Sequence, residues 1–224
     1  MNRLFRYYLL IVLVGIISFA SHAQTTTVTD DDDVQSWNDV NFTVAVNKKL
    51  DLYFPVTFRF TKNISRFNEG RIGAGVALKP NKAAALTPFY TFIRYRNSAG
   101  EFRTENRISL RFVYKFPVKN FGLSHRSQYE YRFRSTGNLW RYRPSITFEK
   151  ELPKKFASGL KVFVTEELFY ESASGRFSRN RVSFGLNKTL NKKLSVDIYH
   201  LRQDDNFSHP GTINVIGTSL KVKL

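Results

Sequence analysis

The chain has 224 residues, a length that suits one domain, and no cysteine, which excludes disulfides, thiolate metal sites and cysteine nucleophiles. Its 35 lysines and arginines against 18 acidic residues leave a net charge of +17. That points to an anionic partner: nucleic acid, a phosphorylated lipid surface or acidic solutes. Mean hydropathy is −0.33 and only the N-terminus holds a long apolar stretch, so helical membrane spans are excluded; alternating strands average out as polar and are not.

At the N-terminus, Arg3 and Arg6 precede an apolar run from Tyr7 to Ala20, and Ser21-His22-Ala23 follows. The run is shorter than the roughly 20 residues of a spanning helix. Small residues three and one positions before Gln24 suit signal peptidase, so residues 1–23 read as a cleaved signal peptide. Export makes nucleic acid the weakest of the three partners. Residues 24–34 form a polar segment. Its run Asp30–Asp33 lacks the glycine and spaced ligands of a calcium loop and reads as a solvated acidic tail.

From there the chain alternates with period two. Leu50, Leu52, Phe54, Val56, Phe58 and Phe60 share one face of a strand, and Asp51, Tyr53, Thr57 and Arg59 share the other. Phe102–Phe116 repeats the pattern, as do Phe121–Arg134 and Trp140–Glu149. Eleven strands follow, near 35–46, 50–60, 70–79, 85–96, 101–116, 121–134, 140–149, 160–170, 178–190, 194–203 and 212–224. Two are ambiguous. In 85–96 both faces carry apolar residues, and in 160–170 Glu166 interrupts the apolar face. Short Asn/Lys-rich turns at Asn47–Lys49, Pro80–Lys82, Val118–Asn120 and Asn191–Lys193 alternate with longer polar loops at Thr61–Glu69, Asn97–Gly100, Ser135–Leu139, Glu171–Phe177 and Asp204–Gly211. This is the plan of an outer-membrane barrel with its short turns in the periplasm.

The expected fold is therefore all-β: a transmembrane antiparallel up-and-down barrel over 35–224, of 10–12 strands and about 12. The count of twelve comes from topology. If the last strand ends in the periplasm, eleven strands leave the start of 35–46 outside, and single-chain bacterial barrels have even strand numbers. Thr25–Thr29 would supply the missing strand or thread the lumen. The competing architecture is a soluble lipocalin-like barrel or β-sandwich, whose apolar face points inward. Aromatics near strand ends favour the membrane version: Tyr129, Tyr131, Phe133, Trp140 and Tyr142 beside one loop, and Tyr114, Phe116 and Phe121 beside one turn. The end of the chain, with Leu220, Val222 and Leu224 alternating with lysines and Ser219, is similar to the terminal strand read by the barrel-assembly machinery, although Leu224 stands where Phe is usual.

Ser36-Trp37, Glu105-Asn106-Arg107, Tyr129–Arg134, Arg141-Tyr142-Arg143 and Arg179-Asn180-Arg181 together resemble the bacterial outer-membrane family known as domain of unknown function 2490, over about residues 35–224. The resemblance implies a barrel and no particular activity.

No catalytic, cofactor or metal constellation stands out. His125 and Ser127 share one face of one strand, as a lipid hydrolase would require, but Glu130 points the other way and no third member accompanies them. The chain thus reads as no enzyme, with a lipid hydrolase as a distant alternative. What remains is a lumen-facing charged set: Arg59, Arg103, Glu105, Arg107, Arg111, Arg126, Glu130, Arg132, Arg134, Arg141, Arg143 and Glu149. Strands 101–149 hold nine basic and three acidic residues on that face, counting Lys115. The surplus suggests an anion-attracting pore or pocket; the alternative is a non-conducting scaffold or an interaction barrel working through the loops at Thr61–Glu69 and Asp204–Gly211. Expected partners are outer-membrane lipids, the assembly machinery and small anionic solutes.

Overall fold

The computed structural model describes residues 33–155, 157–205 and 211–224. The expected signal peptide and the stretch Thr25–Thr29 lie outside the described residues. Eleven strands run in chain order: β1 (Asp33–Ala45), β2 (Leu50–Thr61), β3 (Arg66–Leu78), β4 (Ala84–Arg96), β5 (Phe102–Phe116), β6 (Gly122–Arg134), β7 (Leu139–Glu151), β8 (Leu160–Glu171), β9 (Arg176–Asn191), β10 (Leu194–Asp205) and β11 (Thr212–Lys223). They coincide with the eleven predicted segments, most ends agreeing within two residues. The exception is β3, which starts at Arg66. Lys62, Asn63 and Ile64 all adopt positive φ, between 52° and 67°, and this left-handed turn reverses the chain so tightly that much of the expected loop is strand.

Each strand pairs antiparallel with its sequence neighbour, and the sheet closes by pairing β1 with β11 in parallel, from Asp33↔Ile213 to Thr43↔Lys223. This corrects the argument for a twelfth strand. An even number is required only if every pair is antiparallel; one parallel seam closes an odd barrel without an edge. Backbone bonds from Leu224 to Thr43 and from Ala45 to Leu224 extend the seam to the last residue.

One rim of the barrel carries Asp33 and the connections 62–65, 97–101, 135–138 and 172–175; the other carries Leu224 and the connections 46–49, 79–83, 117–121, 152–159 and 192–193. Among the described residues the expected contrast of short turns and long loops is absent; most of the loop expected at Asp204–Gly211 lies outside them. Nearly all the described connections are tight, and 152–159 lies on the rim expected to be short. Closely paired long strands leave little chain for loops at either end.

Period two governs the wall. Ile72, Ile108, Phe184 and Ile198 are each more than half exposed on the outside, while charged and hydroxyl groups turn inward. In β4, where the sequence left the face open, Phe89 and Ile93 point inward and Tyr90 and Phe92 outward. Inside the seam, Trp37, Leu201, Ile213 and Val215 form an apolar cluster against which Tyr199 packs. A Cβ on Gly217 would come within 2.1 Å of the Tyr199 ring, so only glycine lets that ring lie across β11. The Trp37 indole N–H donates to Gln35 Oε1 at 2.9 Å.

Trp37→Ala should destabilise closure by about 3–5 kcal/mol, as large core deletions do, and Gly217→Val should act in the same direction. Urea unfolding of the folded protein in detergent measures both. Cysteines placed singly at Asn63 and Lys192, in a chain free of native cysteine, should react with impermeant reagent from opposite sides of a vesicle.

Candidate functional site

Alternation places Glu105 and Arg107, Gln128 and Glu130, and Arg141 and Arg143 two residues apart on the inner face, and register sets Arg107 opposite Arg132 and Glu130 opposite Arg141. A continuous ion-pair network results. Glu105 accepts from Arg107 (Nη2, 2.6 Å) and from Arg132 (Nη2, 2.7 Å). Glu130 accepts from Arg141 (Nη2, 2.6 Å), Arg143 (Nη1, 2.7 Å) and Gln128 (Nε2, 2.6 Å), with Arg107 at 3.4 Å. Glu167 on β8 pairs with Arg143 at 2.7 Å, with Arg126, and with Arg181 at 3.7 Å. A second group on β2 and β3 joins Glu69 to Arg71 at 2.6 Å and to Arg59 at 3.4 Å. Glu105 and Glu130 are each only 2 % exposed. Charges buried this deeply are tolerated because bidentate guanidinium–carboxylate geometry occupies their lone pairs.

Aromatic rings complete the packing. Phe169 is fully buried, and the guanidinium groups of Arg141, Arg143, Arg179 and Arg181 surround its ring at 4.5–5.6 Å. Arg59 stacks on Trp37 at 3.7 Å, and Arg181 reaches the same indole at 4.6 Å from β9. Arg111 donates to Gln128 Oε1 at 2.7 Å and reaches the Tyr53 hydroxyl across the lumen at 3.4 Å. Desolvated cation–π contacts of this kind reach about 2 kcal/mol each.

Toward the Leu224 rim the interior changes character. Lys79 pairs with Asp51 at 2.6 Å, Lys161 with Glu149 at 2.9 Å and Lys221 with Asp197 at 2.6 Å. The Lys221 side chain is 52 % exposed. Among the described residues every lysine except Lys62 lies on this half of the barrel, many of them in its turns. At the opposite rim, Glu101 is held below the usual carboxylate range by the Asn97 amide and then by Arg103, 2.7 Å away.

The predicted lumen set falls on the inner face. Arg103 and Glu149 stand at the two rims, and the others occupy the interior. The charge surplus is smaller than the strands from 101 to 149 suggest, because Glu101, Glu167 and Glu171 reach Arg103, Arg126, Arg143 and Arg141 from loop and neighbouring strand. Sequence reasoning missed Trp37 and Phe169 as interior rings. The signal was parity: Phe169 shares its face with Glu167 and Glu171. His125 and Ser127 lie on the outer wall, His125 Nε2 2.9 Å from Ser127 Oγ, and Tyr142 OH lies 3.1 Å from that same oxygen. Glu166 also faces outward and accepts from Asn180 Nδ2 at 3.2 Å.

The family model described as "Protein of unknown function (DUF2490)" matches residues 34–214. No curated protein matches at a significant level. Among solved structures, the NanC porin superposes with a TM-score of 0.51 at 12 % identity, over 86 % of this chain and 99 % of the porin. The β-domain of the Bordetella autotransporter BrkA gives 0.47 at 11 % identity, over 72 % and 80 % of the two chains. An anion-selective porin from Comamonas acidovorans gives 0.39 at 14 % identity, over 77 % of this chain and 57 % of the porin. The NanC likeness is one of fold, a closed barrel of the outer-membrane porin kind.

Glu130→Ala strips Arg107, Arg141 and Arg143 of a shared carboxylate and should destabilise the protein by about 3–5 kcal/mol. Glu149→Ala at the wet rim should change stability by about 1 kcal/mol or less. Denaturant titration followed by tryptophan fluorescence separates the two; equal effects would refute the buried network as the main internal support.

Proposed function

The chain belongs to the DUF2490 family, and we propose that it is an outer-membrane barrel, corked in the half nearer Asp33, whose open mouth at the Leu224 end attracts small anions. One contrast carries this reading. Side chains in the cork are dry, with Glu105 and Glu130 at 2 % and Phe169 and Val215 at 0 % exposure, whereas Lys221 at the mouth is half exposed. A water-filled pore would wet the middle of its lining. Lysine, a strongly hydrated point charge, suits a wet mouth, and arginine, planar and bidentate, suits a dry cork.

The membrane setting rests on the outer wall, whose exposed isoleucines and phenylalanines would be costly to leave in water at about 25 cal/mol per Å². With β11 as the strand read by the assembly machinery, the Leu224 rim faces the periplasm, the anion-attracting mouth opens there, and the Asp33 rim faces outward. Of the two loops considered for docking, the one after Thr61 is reduced to residues 62–65, too short for a broad surface, and most of Asp204–Gly211 lies outside the described residues.

In planar bilayers the protein should be silent, and Glu130→Ala combined with Arg107→Ala should introduce conductance by breaching the cork. Inorganic phosphate or citrate should bind the wild type, and Lys115→Glu with Lys193→Glu should weaken that binding about tenfold, an effect fading at high salt. Steady wild-type conductance would refute the cork. A test of the wall is Leu110→Arg, which should lower stability in lipid by about 2–4 kcal/mol near the midplane.

A further inference from the structure

The outer wall carries several self-satisfied polar pairs: Tyr90 with Asn106, Asn38 with Thr218 and Glu166 with Asn180. The pair on β6 differs from these because it joins a nucleophile to a base. His125 Nε2 lies 2.9 Å from Ser127 Oγ, and the Tyr142 hydroxyl approaches Ser127 Oγ from β7 at 3.1 Å. We propose that Ser127, His125 and Tyr142 form a site on the lipid-facing wall that hydrolyses acyl esters of membrane lipids, with glycerophospholipids the preferred class. The proposal rests on the outer wall meeting lipid and is independent of the cork and the mouth.

Position in the wall suits such a substrate. His125 is three residues from the start of β6 at the Leu224 rim, about 8 Å along the barrel axis for a tilted strand. Beside it and toward the rim lie outward rings of a girdle, Tyr114 with Phe116 and Phe121 with Phe148, the level at which a bilayer changes from headgroup to chain. Ile146 lies directly across from His125, and Lys150 lies four residues further toward the rim on the same face. An ester at Ser127 therefore leaves its phosphate to extend toward Lys150.

The chemistry balances with water as the only co-reactant. Ser127 Oγ attacks the acyl carbonyl carbon while His125 Nε2 takes the hydroxyl proton. The tetrahedral oxyanion accepts a hydrogen bond from Tyr142 OH. Collapse breaks the bond from acyl carbon to glycerol oxygen, and His125 returns its proton to that oxygen, releasing the lysolipid. Water then attacks acyl-Ser127 with His125 again as base, and fatty acid leaves as Ser127 regains its proton.

The test uses the full folded protein in mixed micelles with diacyl phosphatidylethanolamine and, separately, with acylated glucosamine lipid. Release of fatty acid and lysolipid from the first, with Ser127 labelled by a fluorophosphonate, is the expected result. Ser127→Ala and His125→Ala should each abolish release, and Tyr142→Phe should lower kcat about a hundredfold with little change in KM. Release from the glucosamine lipid alone would overturn the substrate class. No release from either lipid and no labelling, or release equal to that of Ser127→Ala, would overturn the site. Heat-dependent gel migration of each variant reports the barrel separately, so a failed membrane reading is not mistaken for a failed site.

Discussion

Backbone hydrogen bonding is the constraint on which this molecule depends. An open sheet leaves a row of unpaired N–H and C=O groups at each edge, a template for pairing with other chains, and only closure removes both edges. Eleven strands satisfy that demand only if one pair runs parallel, and β1 with β11 is that pair. Parallel pairing is slightly weaker per residue, and the interior is built to compensate at the seam. Trp37, Leu201, Ile213 and Val215 pack there, Tyr199 fits over Gly217, and guanidinium groups cover the indole.

Away from the seam the interior is held by charge. The network spreads Glu105, Glu130 and Glu167 among six arginines, so removing one partner affects several strands at once. Such networks fix geometry more than they add net stability, because desolvation offsets much of the Coulomb attraction. The division of labour between arginine in the dry half and lysine at the wet rim follows from their hydration. Strand tilt and alternation alone would place either residue at either level.

Much of this was readable from residue order. Period two located all eleven strands and assigned the faces of β2, β5, β6 and β7, because a one-residue slip would move every phenylalanine inward. What escaped was non-local. The parallel seam cannot be inferred from a strand's own sequence, so a rule for antiparallel barrels pointed to a twelfth strand. The turn at Lys62–Ile64 contains no glycine, and its left-handed conformation was invisible to residue type. Glu167 was missed as the partner of Arg126 and Arg143 because those arginines are on β6 and β7, and only register brings β8 beside them. The Ser127–His125 pair was visible as a spacing, but Tyr142 joined it only through a diagonal across two strands.

The parallel seam also gives the barrel a direction of mechanical resistance. Asp33 and Leu224 sit on opposite rims, so tension applied between them runs along β1 and β11 in opposite senses. All eleven register pairs from Asp33↔Ile213 to Thr43↔Lys223 then share the load together. An even barrel, with both ends on one rim, would be peeled open one bond at a time from that edge. Here the wall must slide before it can unzip.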